Sequence, residues 1–217
     1  PTTSSARYLP RVGHHVYNGS AWVNEGVLAE SEPRTNVAYY SNDISETTTG
    51  WTANSTLTAP ATGITGIDGI SGSPFKLIAG SGGASKVRLN QNSVTSGSDY
   101  VLSAILKDAG DGVYAGFSGM GIGAANENPI FDLVNGTVDV GTTTTVVKEA
   151  GIYPWNDDGW YLCWARVTAG GTIGVILIIS QTATNNTGTV QNWTGDDTSG
   201  YYVAYVGCEQ TSGMPSF

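Results

Sequence analysis

Short apolar or alternating runs, each ended by Gly, Asn, Asp or Ser, recur along this chain. No stretch is rich enough in Ala, Leu, Glu and Lys to repeat every 3.6 residues. A period of two sends successive side chains to opposite faces of a pleated strand, so each run has an apolar face that needs covering. A chain made of such runs can hide those faces only by stacking one sheet on another or by closing a barrel. The composition agrees, with 30 glycines, abundant Thr, Ser and Asn, and only 12% charged residues. β-branched Thr suits a pleated surface, and Gly and Asn supply the left-handed positions of turns. At 217 residues the chain is long enough for one large sandwich domain.

The runs place strands at 75–79, 85–91, 100–107, 113–118, 130–134, 137–140, 144–148, 160–168, 172–180 and 201–208. About ten antiparallel strands joined by turns of variable length predict an all-β, antiparallel two-sheet jelly-roll sandwich. No segment recurs at a fixed period, which disfavours a solenoid or propeller. Asn135-Gly136 between IFDLV and TVDV reads as a tight hairpin, and Asn18-Gly19 predicts another over 14–23. Pro33 interrupts the extended segment that follows. Two parts result: an N-terminal hairpin and arm over residues 1–40, and a jelly-roll domain over 41–217. The glycine-rich stretches TGITGIDGISGSP and FSGMGIGAANENP read as loops.

Charge narrows the partners. Nine Lys and Arg against 18 Asp and Glu give a net charge of -9, with no basic cluster to track a phosphate backbone or an anionic membrane surface. The longest apolar run, 175–179, is far too short to cross a bilayer as a helix. The opening PTTSSARYLP lacks the apolar core of a signal peptide. Cys163 and Cys208 lie in apolar alternating runs and read as buried thiols in preference to a bridge. The only histidines, His14 and His15, fall on the N-terminal hairpin and face opposite ways, which gives a nucleophilic triad no base. Asp132, Asp139 and Glu149 could serve a glycosidase only if paired across a sugar, and no motif marks them. The chain is therefore not expected to be an enzyme.

Aromatic residues carry the most functional information, beginning with DGWYLCWARV, residues 158–167. Alternation puts Trp160, Leu162, Trp164 and Arg166 on one face, with Tyr161, Cys163, Ala165 and Val167 on the other. If the cysteine face is internal, the tryptophans form an outer platform on which a sugar can stack; if the tryptophan face is internal, they anchor the core. Aromatics in turn-rich segments are more telling, because no core demands them. Trp51 in TTTGWTANS, Tyr153 and Trp155 in GIYPWNDDG, and Trp193 beside Asn192 in VQNWTGDD meet that description. With Trp164 they form the candidate ligand-binding set: rings for the apolar face of a pyranose, and neighbouring acids and amides for its hydroxyls. The paired acids Asp157-Asp158 and Asp196-Asp197 are the candidate ligands for a structural Ca²⁺, although neither follows the EF-hand spacing.

Three blocks taken together resemble a module widespread in bacteriophage virion proteins such as tail fibres, tail spikes and head fibres. They are RTNVAYYSNDIS, then DYVLSAILK with FDLVNGTV and DDGWYLCWARV, and finally GYYVAYVGCEQTSGMPSF. The layout is similar to jelly-roll carbohydrate-binding modules and concanavalin-like lectin domains, and it covers roughly residues 26–217. The last strand departs from the family, which tends to have a Trp in place of Tyr205 or Val206. The resemblance brings no catalytic motif with it. It implies a non-catalytic module that recognises a polysaccharide or surface glycan of the host, located on the virion among other virion proteins. The N-terminal hairpin and arm would serve attachment or a homotrimer. Two other classes follow from the same scaffold: a structural decoration or spacer with its aromatics packed away, and a polysaccharide lyase or glycoside hydrolase with ionisable groups converging in a cleft.

Overall fold

A computed structural model describes residues 11–17, 22–28, 44, 51–54, 56–81, 88–91, 94–122, 128–141, 145–172, 174, 176–183 and 194–210, with the side chains of 11–28, 51–58 and 88–91 outside the description. Two compact units emerge, Pro1–Thr35 with Ser216–Phe217, and Asn36–Pro215. In the first, β1 (Arg11–Tyr17) pairs antiparallel with β2 (Trp22–Leu28). Tyr17 lies opposite Trp22, and the expected Asn18-Gly19 turn between them lies outside the described residues. His14 and His15 both lie in β1, where the register slips on either side of His14.

The second unit is a sandwich of two antiparallel six-stranded sheets. Its strands are β3 (Trp51–Asn54), β4 (Thr56–Pro60), β5 (Phe75–Ala79), β6 (Arg88–Gln91), β7 (Asp99–Asp108) and β8 (Tyr114–Ser118), followed by β9 (Ile130–Asp132), β10 (Thr137–Asp139), β11 (Val147–Pro154), β12 (Trp160–Thr168), β13 (Ile176–Ser180) and β14 (Gly200–Gln210). One sheet runs β10-β9-β8-β13-β6-β3 and the other β11-β12-β7-β14-β5-β4, so the chain passes repeatedly from sheet to sheet in the jelly-roll manner.

Strands β5 and β12 have the bounds their alternation predicts, but β3 falls in TTTGWTANS, read as turn-rich, β4 lies where no strand was expected, and β11 runs six residues past the expected end at Lys148. The reason is common to all three: each sits at a sheet edge. An edge strand buries little, tolerates Thr, Gly and Pro, and leaves a weak apolar pattern. Trp51, expected in a loop, is the first residue of β3, and Tyr153, also expected in a loop, lies within β11. Asn135-Gly136 is likewise half of a four-residue connection, since Thr137 pairs with Asp132. Gly136 takes a φ of 64° there and its N–H donates to the Asp132 carbonyl at 2.9 Å.

Between the sheets, Leu102, Ala104 and Leu106 of β7, Cys163, Ala165 and Val167 of β12, and Tyr201, Val203, Val206 and Cys208 of β14 meet Phe117, Phe131, Leu177 and Ile179 from the opposite sheet. Phe117 and Phe131 pack edge to face with centroids 5.1 Å apart. The hydroxyl of buried Tyr201 crosses the interior to donate to the Ile178 carbonyl at 3.1 Å, tying β14 to β13.

Both cysteines are buried thiols on this inner face, with no disulfide joining them. Burial pushes the Cys208 thiol up to about 12 and raises Cys163 and the Tyr201 phenol well above their ordinary values. An unfolded chain releases these protons from about pH 9 for the thiols and about pH 10 for the phenol, whereas the native state holds them. Stability from these groups is thus complete below pH 9 and falls as pH rises towards 12. Denaturant midpoints should decline from pH 9 upward, and Cys208→Ala should flatten part of that decline. A wild-type midpoint constant to pH 11 would show that the thiols and phenol ionise without opening the core.

Candidate functional site

The register of the second sheet decides which way DGWYLCWARV faces. Cys163, Ala165 and Val167 point into the sandwich, so Trp160, Leu162, Trp164 and Arg166 lie on the outer face. That face is not bare. Trp160 and Leu162 form a second apolar cluster with Ile105 of β7, against which Ile64, Tyr202, Ala204 and Tyr205 pack. Ile64 belongs to the glycine-rich connection 61–73 between β4 and β5, and the Trp160 indole Nε1 donates to the Thr65 carbonyl of that loop at 3.2 Å.

The loop is internally braced. Ala61 N–H bonds the Pro74 carbonyl at its neck, and Gly66 and Gly72 donate to the Ile70 and Ile64 carbonyls. The Asp68 carboxylate accepts from the Ile70 N–H at 3.0 Å and the Ser73 hydroxyl at 2.8 Å, bonds that hold its pKa below the usual carboxylate value.

Neither arrangement anticipated for the two tryptophans therefore applies. Both are on the outer face, yet Trp160 is 1% exposed and Trp164 4%. The Trp164 indole lies against Gly151 of β11, where an added Cβ would stand 2.6 Å from its Nε1. An indole so enclosed offers no ring face to a ligand, which removes Trp164 from the candidate set.

Among the described residues the most exposed rings are Tyr153, 53% exposed, and Trp155, 43% exposed. Tyr153 pairs with Leu162 and so shares the outer face. Trp155 follows two residues later, about 7 Å along an extended chain and on the same side, and its N–H donates to the Trp160 carbonyl at 2.7 Å. The turn leading into β12 is held by Asn156, whose Oδ1 accepts from the N–H groups of Asp158 at 3.1 Å and Trp160 at 3.3 Å. Asp157 and Asp158 extend from this turn, exposed.

Two hollows flank loop 61–73. One, of about 290 Å³, is lined by Gly63, Ile64, Thr65, Lys107 and Asp158. The other, of about 310 Å³, is lined by Ile67, Asp68, Ser73, Ala204 and Tyr205. Both are near the small end of ligand pockets, which begin at about 300 Å³. The first shares the turn 155–159 with Trp155, so the outer face brings together two exposed rings, a carboxylate and a lysine. Sequence reading missed Lys107 and Thr65. Lys107 ends the alternating run DYVLSAILK, and alternation alone places it with Ile105, but its relevance depends on knowing that this face is the outer one.

Other expected residues lie elsewhere. Asp196 accepts from Thr198 N–H, Ser199 N–H and the Ser199 hydroxyl, while Asp197 accepts from the N–H and hydroxyl of Ser81. These bonds hold both carboxyls low, that of Asp196 chiefly through Ser199, and commit the two acids to different partners. Among the described residues no group of three His, Cys, Asp or Glu side chains is placed to hold a metal ion, so neither Asp157-Asp158 nor Asp196-Asp197 is joined by a third such ligand. Asp132 closes its own turn by accepting from Val134 N–H, Asn135 N–H and the Asn135 amide, and Glu149 pairs with Arg166 at 3.0 Å. Trp193, Asn192 and the side chain of Trp51 lie outside the described residues.

No protein-family model and no curated protein matches the chain. Among solved structures, the chain is similar to the N-terminal CBM22-1 and GH10 modules of endo-1,4-β-D-xylanase 10B from Clostridium thermocellum, solved in complex with xylohexaose, at 14% identity and a TM-score of 0.39. The match covers 84% of this chain and 29% of that one.

Proposed function

We propose that this chain is a non-catalytic carbohydrate-binding module whose site is the outer face around Tyr153, Trp155 and the hollow between Lys107 and Asp158. The observation that carries the reading is the exposed aromatic pair beside a polar hollow. Sugars need both parts, a flat ring for the C–H face and fixed polar groups for the hydroxyls. Tyr153 near the end of edge strand β11 and Trp155 just after it are exposed large aromatic side chains, which the inter-sheet core does not require. With the sequence resemblance, the natural setting is a phage virion fibre, spike or head fibre, and the partner a polysaccharide or surface glycan of the host. A shallow site of this kind binds weakly on its own, and repeated copies in a homotrimer would multiply its affinity.

A glycan array of marine and bacterial polysaccharides, probed with the full chain, tests the reading. Tyr153→Ala and Trp155→Ala should each weaken binding about ten-fold, equivalent to about 1.4 kcal/mol of lost contact, with Trp193→Ala run alongside. Both described rings are exposed, so melting should shift little. Val134→Ala, an exposed apolar residue after β9 on the other sheet, should change nothing. Silence of the wild type across the array would return the chain to the structural decoration class.

A further inference from the structure

We propose that the hollow at Lys107 takes the anionic substituent of an acidic saccharide, an inference that rests on the carbohydrate-binding reading. The described basic side chains are otherwise occupied: Lys76 pairs with Asp111 at 2.6 Å, Arg166 with Glu149 at 3.0 Å, and Lys148 donates to the Thr145 carbonyl at 2.7 Å. Lys107 differs. Its ammonium stands 5.9 Å from the centroid of the Trp160 ring, and among the described residues no carboxylate lies within ion-pair distance of it. A chain of net charge -9 has carboxylates in excess, and among the described residues Lys107, with Asp158 on the same hollow, forms no ion pair.

The indole beneath Lys107 is itself fixed by its bond to Thr65, so the ammonium is held over a ring that cannot turn away. With a hydroxyl, this ammonium forms a hydrogen bond in which only the donor is charged; a carboxylate or sulfate adds the attraction between opposite charges. Asp158 lines the same hollow, and its exposed carboxylate calls for a donor. An anionic group with a hydroxyl near it, as on the ring of an acidic sugar, meets both walls.

The protein's overall negative charge opposes this at long range, and Asp158 opposes it across the hollow itself, so the anionic group must sit on the Lys107 side. At physiological ionic strength fields decay over about 8 Å, so a contact at Lys107 outweighs carboxylates farther off than that. The preference should therefore persist at 0.15 M salt.

The test uses the full chain and matched glycans on several backbones, each with a C6 hydroxymethyl, carboxylate or sulfate ester. Wild type should bind an anionic member about ten-fold more tightly than its neutral counterpart, and the carboxylate and sulfate arms identify the anion. Lys107→Met keeps the aliphatic stem over Trp160 and should bring the ratio near one, while Lys107→Arg should preserve it. Trp155→Ala should weaken neutral and anionic members alike. Equal binding of neutral and anionic members by wild type, or a preference that survives Lys107→Met, would overturn the inference and leave the carbohydrate reading standing. Silence across every backbone would overturn both.

Discussion

Trp160→Ala is expected to lower the unfolding free energy by about 3–5 kcal/mol, the usual cost of removing a fully buried large aromatic side chain. The location makes the result informative, because Trp160 faces away from the inter-sheet core. Its ring fills the space between β12, Ile105 of β7 and Ile64 of loop 61–73, and its N–H holds the loop at Thr65. Trp160→Phe retains much of the apolar contact and loses the hydrogen bond, so it should cost about 1–2 kcal/mol. Urea denaturation of both variants separates the two contributions. A loss below about 1 kcal/mol for Trp160→Ala would mean that the loop does not pack on this side chain. Glycan binding should also weaken in Trp160→Ala, since Thr65 and the perch of Lys107 move with the ring.

The second large effect is internal. Tyr201 is buried at the centre of the sandwich and its hydroxyl reaches a strand of the opposite sheet. Tyr201→Ala should cost about 3–5 kcal/mol. Tyr201→Phe conserves the volume and removes one bond in a dry interior, costing about 1–2 kcal/mol. Amide exchange distinguishes the bond from packing: Tyr201→Phe should accelerate exchange in β13 and β14 more than in the edge strand β11. Uniform acceleration would assign the loss to global stability alone.

What was legible in the sequence follows burial. Strands β7, β12 and β14, apolar on their inner faces and covered on part of the outer, are long and readily recognised, and β12 has its expected bounds. The edge strands β3, β4 and β11 were obscured because their polar, Thr- and Gly-containing sequences bury too little to set a period. The proposed site was half legible. Trp155 could be picked out because it stands in a turn with acids beside it. Trp164 could not be assigned, because alternation tells which side chains share a face and not what lies over that face. The group that roofs Trp160 comes from a loop 95 residues away in sequence. Lys107 was silent for the same reason: a lysine at the end of a strand is ordinary until its neighbours across space are known.

Loop 61–73 is closed at its neck by the bond between Ala61 and Pro74 and stays outside the inter-sheet core. Chain of another length spliced between those ends would meet a small entropic cost, about 0.6 kcal/mol for each doubling. Both hollows have this loop as a wall. Exchange of one short segment would thus reshape both hollows, and with them the proposed specificity of the face, while the sandwich beneath it keeps its own sequence requirements.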